Sequence, residues 1–186
     1  MNRTDEQLRE LTPVDLIQYI LRRYHEPLPD QMMRLAQQAE RLATAQGSDG
    51  PALSEIVKLV RELWVELEPH LLKEERVLFP MLHAVFSAGS TGHAFRPSPS
   101  QIMNGPVRVM LMEHDRADEI LRALDETTAH YQPPVGASEG LHALYDGLRV
   151  LAVELNEHIR IENELLFPAI SRLGSVTDHS PRSDGR

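Results

Sequence analysis

Two stretches decide the fold: ELEPHLLKEERVLFP, from Glu66 to Pro80, and ELNEHIRIENELLFP, from Glu154 to Pro168. Each carries Glu-x3-His-x3-Glu-x3-Leu-Phe-Pro in the same frame. The first places Glu66, His70, Glu74 and Leu78; the second places Glu154, His158, Glu162 and Leu166, at an offset of 88 residues. Residues four apart share one face of an α-helix, about 6 Å along its axis. His70 with Glu74, and His158 with Glu162, can therefore each present a ring nitrogen and a carboxylate to one point. An isolated His-x3-Glu is also a common solvated surface pair. What sets these two apart is the shared frame and its apolar flanks. Upstream, His25 and His114 stand 89 residues apart, so His25, His70, His114 and His158 follow one another at steps of 45, 44 and 44. The chain is an internal repeat with one such histidine per helical segment.

Working outward, Thr12-Pro13-Val14-Asp15 reads as a helix start, with Thr as N-cap, Pro at the first helical position and an acid in the first turn. Leu16, Ile17, Ile20, Leu21 and Tyr24 follow at helical spacing, and the pattern resumes at Met32, Leu35, Ala39 and Leu42. Pro27 and Pro29 predict a kink there rather than a break. After a turn at Gly47 to Pro51, a second helix runs from Leu53 to about Phe86, bent at Pro69 and Pro80. Ser87 to Gly105 is a Gly/Ser/Pro-rich connection. A third helix is expected from Pro106 to before Pro133, and a fourth from about Ser138 to Ser171. Four long amphipathic segments with one long middle crossing predict an all-α, up-down four-helix bundle. The expected organisation is an N-terminal extension (1–10), the bundle (11–173) and a polar, disordered tail (174–186).

Composition narrows the function. The chain has 186 residues, 28 acidic against 19 basic, a net charge of −9 and no cysteine. No Lys/Arg stripe suited to phosphates is present, so nucleic acid is not an expected partner. Disulfides, thiolate metal sites and Cys nucleophiles are excluded for these residues. No apolar run approaches the ~20 residues needed to span a bilayer, and no signal-peptide core precedes the first helix. A soluble, cytoplasmic protein is the expectation.

With helices alternating up and down at ~1.5 Å per residue, the four histidines fall at levels agreeing within about two turns. His25, His70, Glu74, His114, His158 and Glu162 are therefore the expected metal ligands. Four imidazoles, two bridging carboxylates and an oxo or hydroxo bridge fill most of the positions around two octahedral ions and leave room for a small exogenous ligand. The donor set suits iron, manganese or zinc. Paired Glu-x-x-His motifs, as in ferritin-like sites, are missing: the one instance is Glu139 with His142. Glu66 and Glu154, one turn before their histidines, are candidates to accept the second ring N–H, the alternative being a solvated helix face. Glu113 and Tyr24 are candidates to line access to the site. His83, His93, His130, His142 and His179 break the register and read as surface or loop residues. Met32, Met33, Met81, Met103, Met110 and Met112 read as flexible core filling.

RYHEPLPDQM, HLLKEERVLFPML, MEHDRA and HIRIENELLFP resemble the haemerythrin-type HHE bundles, in particular the di-iron "repair of iron centres" proteins, over about Leu11 to Leu173. The resemblance implies a non-haem di-iron centre held by His25, His70, Glu74, His114, His158 and Glu162. It further implies reactivity with nitric oxide and dioxygen, and a role in restoring iron–sulfur clusters damaged by oxidative or nitrosative stress, with damaged iron–sulfur proteins as partners. A reversible carrier or sensor of dioxygen or nitric oxide, and a di-iron peroxidase or nitric oxide reductase, are the alternative expectations. Longer family members begin with a small Cys-Cys domain, which has no counterpart in these residues.

Overall fold

Thr12 Oγ1 accepts the Asp15 backbone N–H at 3.1 Å and donates to the Asp15 carboxylate at 2.6 Å, so the first long arm begins at its expected cap. The computed structural model describes residues 3–45, 50–87 and 97–177. A short helix, α1 (Asp5–Arg9), precedes this arm inside the expected extension; a Thr4–Gln7 capping box starts it, and Leu8 anchors it in the core. The first arm is α2 (Pro13–Ile20), a π turn (Leu21–His25) and α3 (Leu28–Ala45). The second is α4 (Gly50–Lys73), a π turn (Glu74–Leu78) and α5 (Phe79–Phe86). The third is α6 (Pro99–Ile102), a π turn (Met103–Val107) and α7 (Arg108–Thr127). The fourth is α8 (Glu139–Ile161), a π turn (Glu162–Leu166) and α9 (Phe167–Thr177). The described residues contain no strand, and none of their helices is long and apolar enough to cross a membrane.

The arms form an all-α four-helix bundle. α3 packs on α4 and α8, and α7 packs on the same two helices, so sequential arms are neighbours around a square. The turn between the third and fourth arms is left-handed over Ala129, His130 and Tyr131, with φ of 49°, 60° and 55°. Buried Thr128 holds it: its hydroxyl donates to the Leu124 carbonyl at 2.7 Å and accepts the Tyr131 N–H at 3.1 Å.

Three expectations need correction. The third arm starts at Pro99, not near Pro106, because Ser98 and Gln101 form a capping box with Pro99 at the first helical position. α9 runs to Thr177, into the segment read as a tail. Met33 and Met112 are exposed at 53% and 63%, whereas Met32 and Met110 are core residues. The turn at 47–51 and the connection at 88–96 lie wholly or largely outside the described residues, as do His93, His179 and positions 178–186.

The core is two apolar clusters with a polar layer between them. One cluster runs through Leu28, Leu35, Leu63, Leu71, Leu124, Leu148 and Ile159. The other runs through Ile20, Tyr24, Leu78, Met110, Ile161 and Phe167. Each arm passes from one cluster to the other at its candidate ligands, which fixes the height of the layer.

Candidate metal centre

His25, His70, Glu74, His114, His158 and Glu162 all meet in that layer, and none is more than 3% exposed. They form two groups. His25 and His158 share one with Glu74 and Glu162; His70 and His114 share the other with the same two carboxylates. Both carboxylates lie between the groups, and the histidines pair across neighbouring arms with ring centroids 4.9 Å apart in each pair. His25 Nε2 lies 3.3 Å and His70 Nε2 3.5 Å from Glu74 Oε2. His114 Nε2 lies 3.1 Å from Glu162 Oε2, and His158 Nε2 3.1 Å from Glu162 Oε1. Donors on one ion at ~2.1 Å and right angles stand ~3.0 Å apart, so these separations are those of neighbouring ligands.

A structural hydrogen-bond network explains this layer poorly. Glu74 Oε1 and Oε2, Glu162 Oε2 and His114 Nε2 are buried without a hydrogen-bond partner. Unpaired carboxylate oxygens in an apolar core are costly, and a cation held in each group would satisfy them. Burial alone pushes the Glu162 carboxyl up, but His158 and His114 outweigh it and hold the group well below the usual carboxylate range. Burial likewise opposes protonation of His25 and His114; contacts with Glu74 and Glu162 prevail and raise both. The layer is poised to gather positive charge.

The outer face of the site departs from expectation. Glu66 and Glu154 do not take the second ring N–H: Glu154 is ion-paired with Arg23 at 2.7 Å. The acceptors come from neighbouring arms. His25 Nδ1 is 3.0 Å from Glu75 Oε1, His70 Nδ1 is 3.0 Å from Glu113 Oε2, and His114 Nδ1 is 2.9 Å from Asn163 Oδ1. With Nδ1 donating outward, Nε2 presents its lone pair to the layer. Glu113 is also bound to Lys73, and the hydrogen bonds from Lys73 and His70 outweigh its partial burial to lower its carboxyl below the ordinary range. The repeat carried a signal for two acceptors: Glu75 and Asn163 each follow a carboxylate ligand in corresponding frames. Its phenylalanines have a role too. Phe79 packs on His25 at 5.6 Å, and Phe167 stacks on His114 at 6.1 Å, which keeps water from the rings. His83, His130 and His142 are exposed and outside the layer.

A helical bundle whose buried middle layer is two His2Glu2 groups sharing both carboxylates has the donors to hold two metal ions. Residues 16–170 match the family described as hemerythrin HHE cation binding domain, and the chain belongs to that family, whose centre is di-iron. It is 33% identical over 164 residues to the iron–sulfur cluster repair protein YtfE of Enterobacter sp. (strain 638). It is 32% identical, over the same length, to the YtfE of Escherichia coli O81 (strain ED1a). Each alignment covers 88% of this chain and 69% of the relative.

Proposed function

We propose that the chain holds two iron ions: His25 and His158 would hold one, His70 and His114 the other, and Glu74 and Glu162, which belong to both groups, would serve each. We further propose that it serves the repair of iron–sulfur clusters by giving up that iron. The observation that carries the reading is the sharing of both buried carboxylates by two histidine pairs, in a chain similar to cluster-repair proteins over most of its length.

Bound iron supplies a redox couple and open positions for a small ligand such as dioxygen, nitric oxide or peroxide. The protein's own groups do the rest. Glu75, Glu113 and Asn163 orient three rings through Nδ1–H; Phe79, Phe167 and Tyr24, whose ring stacks on His158, exclude water from the rings they cover; and the carboxylates supply the charge that retains a cation. Coulomb attraction scales with ionic charge, so the same two carboxylates hold ferrous ions less tightly than ferric ions. The reduced form is therefore the donor. Damaged iron–sulfur proteins are the acceptors this reading requires, and the cytoplasm is the compartment that suits them.

The test mixes reduced or oxidised protein with an apo-ferredoxin and sulfide under argon, separates the two proteins at intervals and counts the iron each holds. Faster transfer from the reduced form is expected. Reversible binding of dioxygen or nitric oxide with no iron transfer from either form would replace repair by a carrier or sensor role. Consumption of peroxide or nitric oxide over many cycles would mark an enzyme.

A further inference from the structure

The internal repeat is kept at all six candidate ligands but not at the residues beside them. Positions 75 and 163 correspond at the offset of 88, and Glu75 and Asn163 do the same work, each accepting Nδ1–H from a histidine of another arm. Positions 24 and 113 correspond at the offset of 89, and there the two halves differ. Glu113 accepts Nδ1–H from His70 and is itself fixed by Lys73. Tyr24 instead lays its ring on His158, with centroids 5.2 Å apart and planes 4° from parallel, and Arg23 sits over the phenol ring at 5.0 Å. A ring stacked face to face offers no acceptor in the imidazole plane, where an Nδ1–H points.

We propose that the two metal positions are unequal, that the iron between His25 and His158 leaves first, and that the Tyr24/Glu113 difference sets the order. The inference rests on the di-iron reading above. A carboxylate or amide that accepts Nδ1–H makes Nε2 more basic and fixes the ring; removing such a partner typically costs ~10–100-fold in metal affinity. The His70/His114 position has two of these acceptors, Glu113 and Asn163. The His25/His158 position has Glu75 and a stacked ring. Glu75 is also the wetter carboxylate, its side chain 40% exposed against 23% for Glu113, so water weakens its hold on His25. Glu113 and Tyr24 are positioning residues: neither is a candidate ligand, and each acts through a histidine.

The experiment counts iron first, then mixes the dithionite-reduced holoprotein with a ferrous chelator and follows release. Two phases of equal amplitude are expected, with rates ~10–100-fold apart. Any coupled pair of ions could give two phases, so assignment comes from variants. Glu113→Ala should speed the slow phase by a similar ~10–100-fold, and Glu113→Gln, which keeps an acceptor oxygen, should speed it less. Glu75→Ala should speed the fast phase alone. Tyr24→Glu should slow the fast phase; melting curves of each variant establish that it is folded, and the Glu113 and Glu75 series decides the matter where Tyr24→Glu is not. Release of both ions in one phase, or acceleration of the same phase by Glu113→Ala and Glu75→Ala, overturns the inequality while leaving two iron ions per chain intact. An initial count well below two overturns the di-iron reading itself.

Discussion

Stripping the iron should lower the melting temperature by roughly 6–12 °C while leaving most of the helix content in place. The size follows from the layer. Without cations, both oxygens of Glu74, one of Glu162 and Nε2 of His114 are buried with no partner. Each such group costs ~1–3 kcal/mol, and water entering a loosened layer recovers part of it, which leaves ~3 kcal/mol. Mass action gives a comparable figure, since metal at 100 times its Kd stabilises one site by ~2.7 kcal/mol. In domains of this size a loss of 1 kcal/mol lowers Tm by ~2–4 °C. Helix content survives because an apolar cluster flanks the layer on each side and neither depends on the metal. Differential scanning calorimetry of chelator-treated and iron-loaded protein, with far-UV circular dichroism on both, makes the comparison. Superimposable melting curves would refute the reasoning, because the six residues would then satisfy one another. Collapse of the helical signal on iron removal would refute it differently, by showing that the flanking clusters do not carry the fold.

The candidate bridges should outrank the residues one turn before the histidines. Glu74→Ala and Glu162→Ala are expected to bind less than one iron per chain, since each serves both groups, whereas Glu66→Ala should keep wild-type content; elemental analysis of matched preparations checks the order. The left-handed turn offers a stabilising substitution. Ala129 has φ 49°, a conformation that costs an L residue ~1–2 kcal/mol, and the entropy lost by glycine offsets about half of the relief. Ala129→Gly should therefore raise stability by ~0.5–1 kcal/mol in urea denaturation, and a lower midpoint with unchanged slope would count against it.

The six converging residues were legible in the sequence because they combine a helical spacing with a repeat, and both survive translation into three dimensions. The ring acceptors were not legible, because they act across arms. Glu66 looked suitable for His70, four residues on in the same helix. Glu154, the corresponding residue before His158, is instead held by Arg23 of the first arm at 2.7 Å, a pairing with no signal in the local spacing. Glu113 reaches His70 from the third arm, a contact that only the packing of α4 on α7 creates. The early start of the third arm was hidden for another reason. Ser98-Pro99-Ser100 has the composition of a loop, yet the same residues are a helix cap when Gln101 closes the box and Ile102 has a core to enter.

The π turns of the second and fourth arms follow from the same period that revealed the site. His70, Glu74, Leu78 and Leu82 are spaced by four and are all buried, as are His158, Glu162, Leu166 and Ile170. In a regular α-helix four residues advance one turn and ~40° more, so three such steps carry the last residue ~120° around, out of the core. A wider turn absorbs the drift. Each stretch contains one, beginning at the carboxylate and closed by an i→i+5 bond: the Phe79 N–H donates to the Glu74 carbonyl and the Phe167 N–H to the Glu162 carbonyl. Such turns are rare and concentrate at functional sites. Here the wide turn lets Glu74 and Glu162 enter the polar layer while Leu78, Phe79, Leu166 and Phe167, one turn later, still reach the apolar cluster beyond it. A strict 3.6-residue pattern would satisfy the layer or the cluster, and the period of four satisfies both.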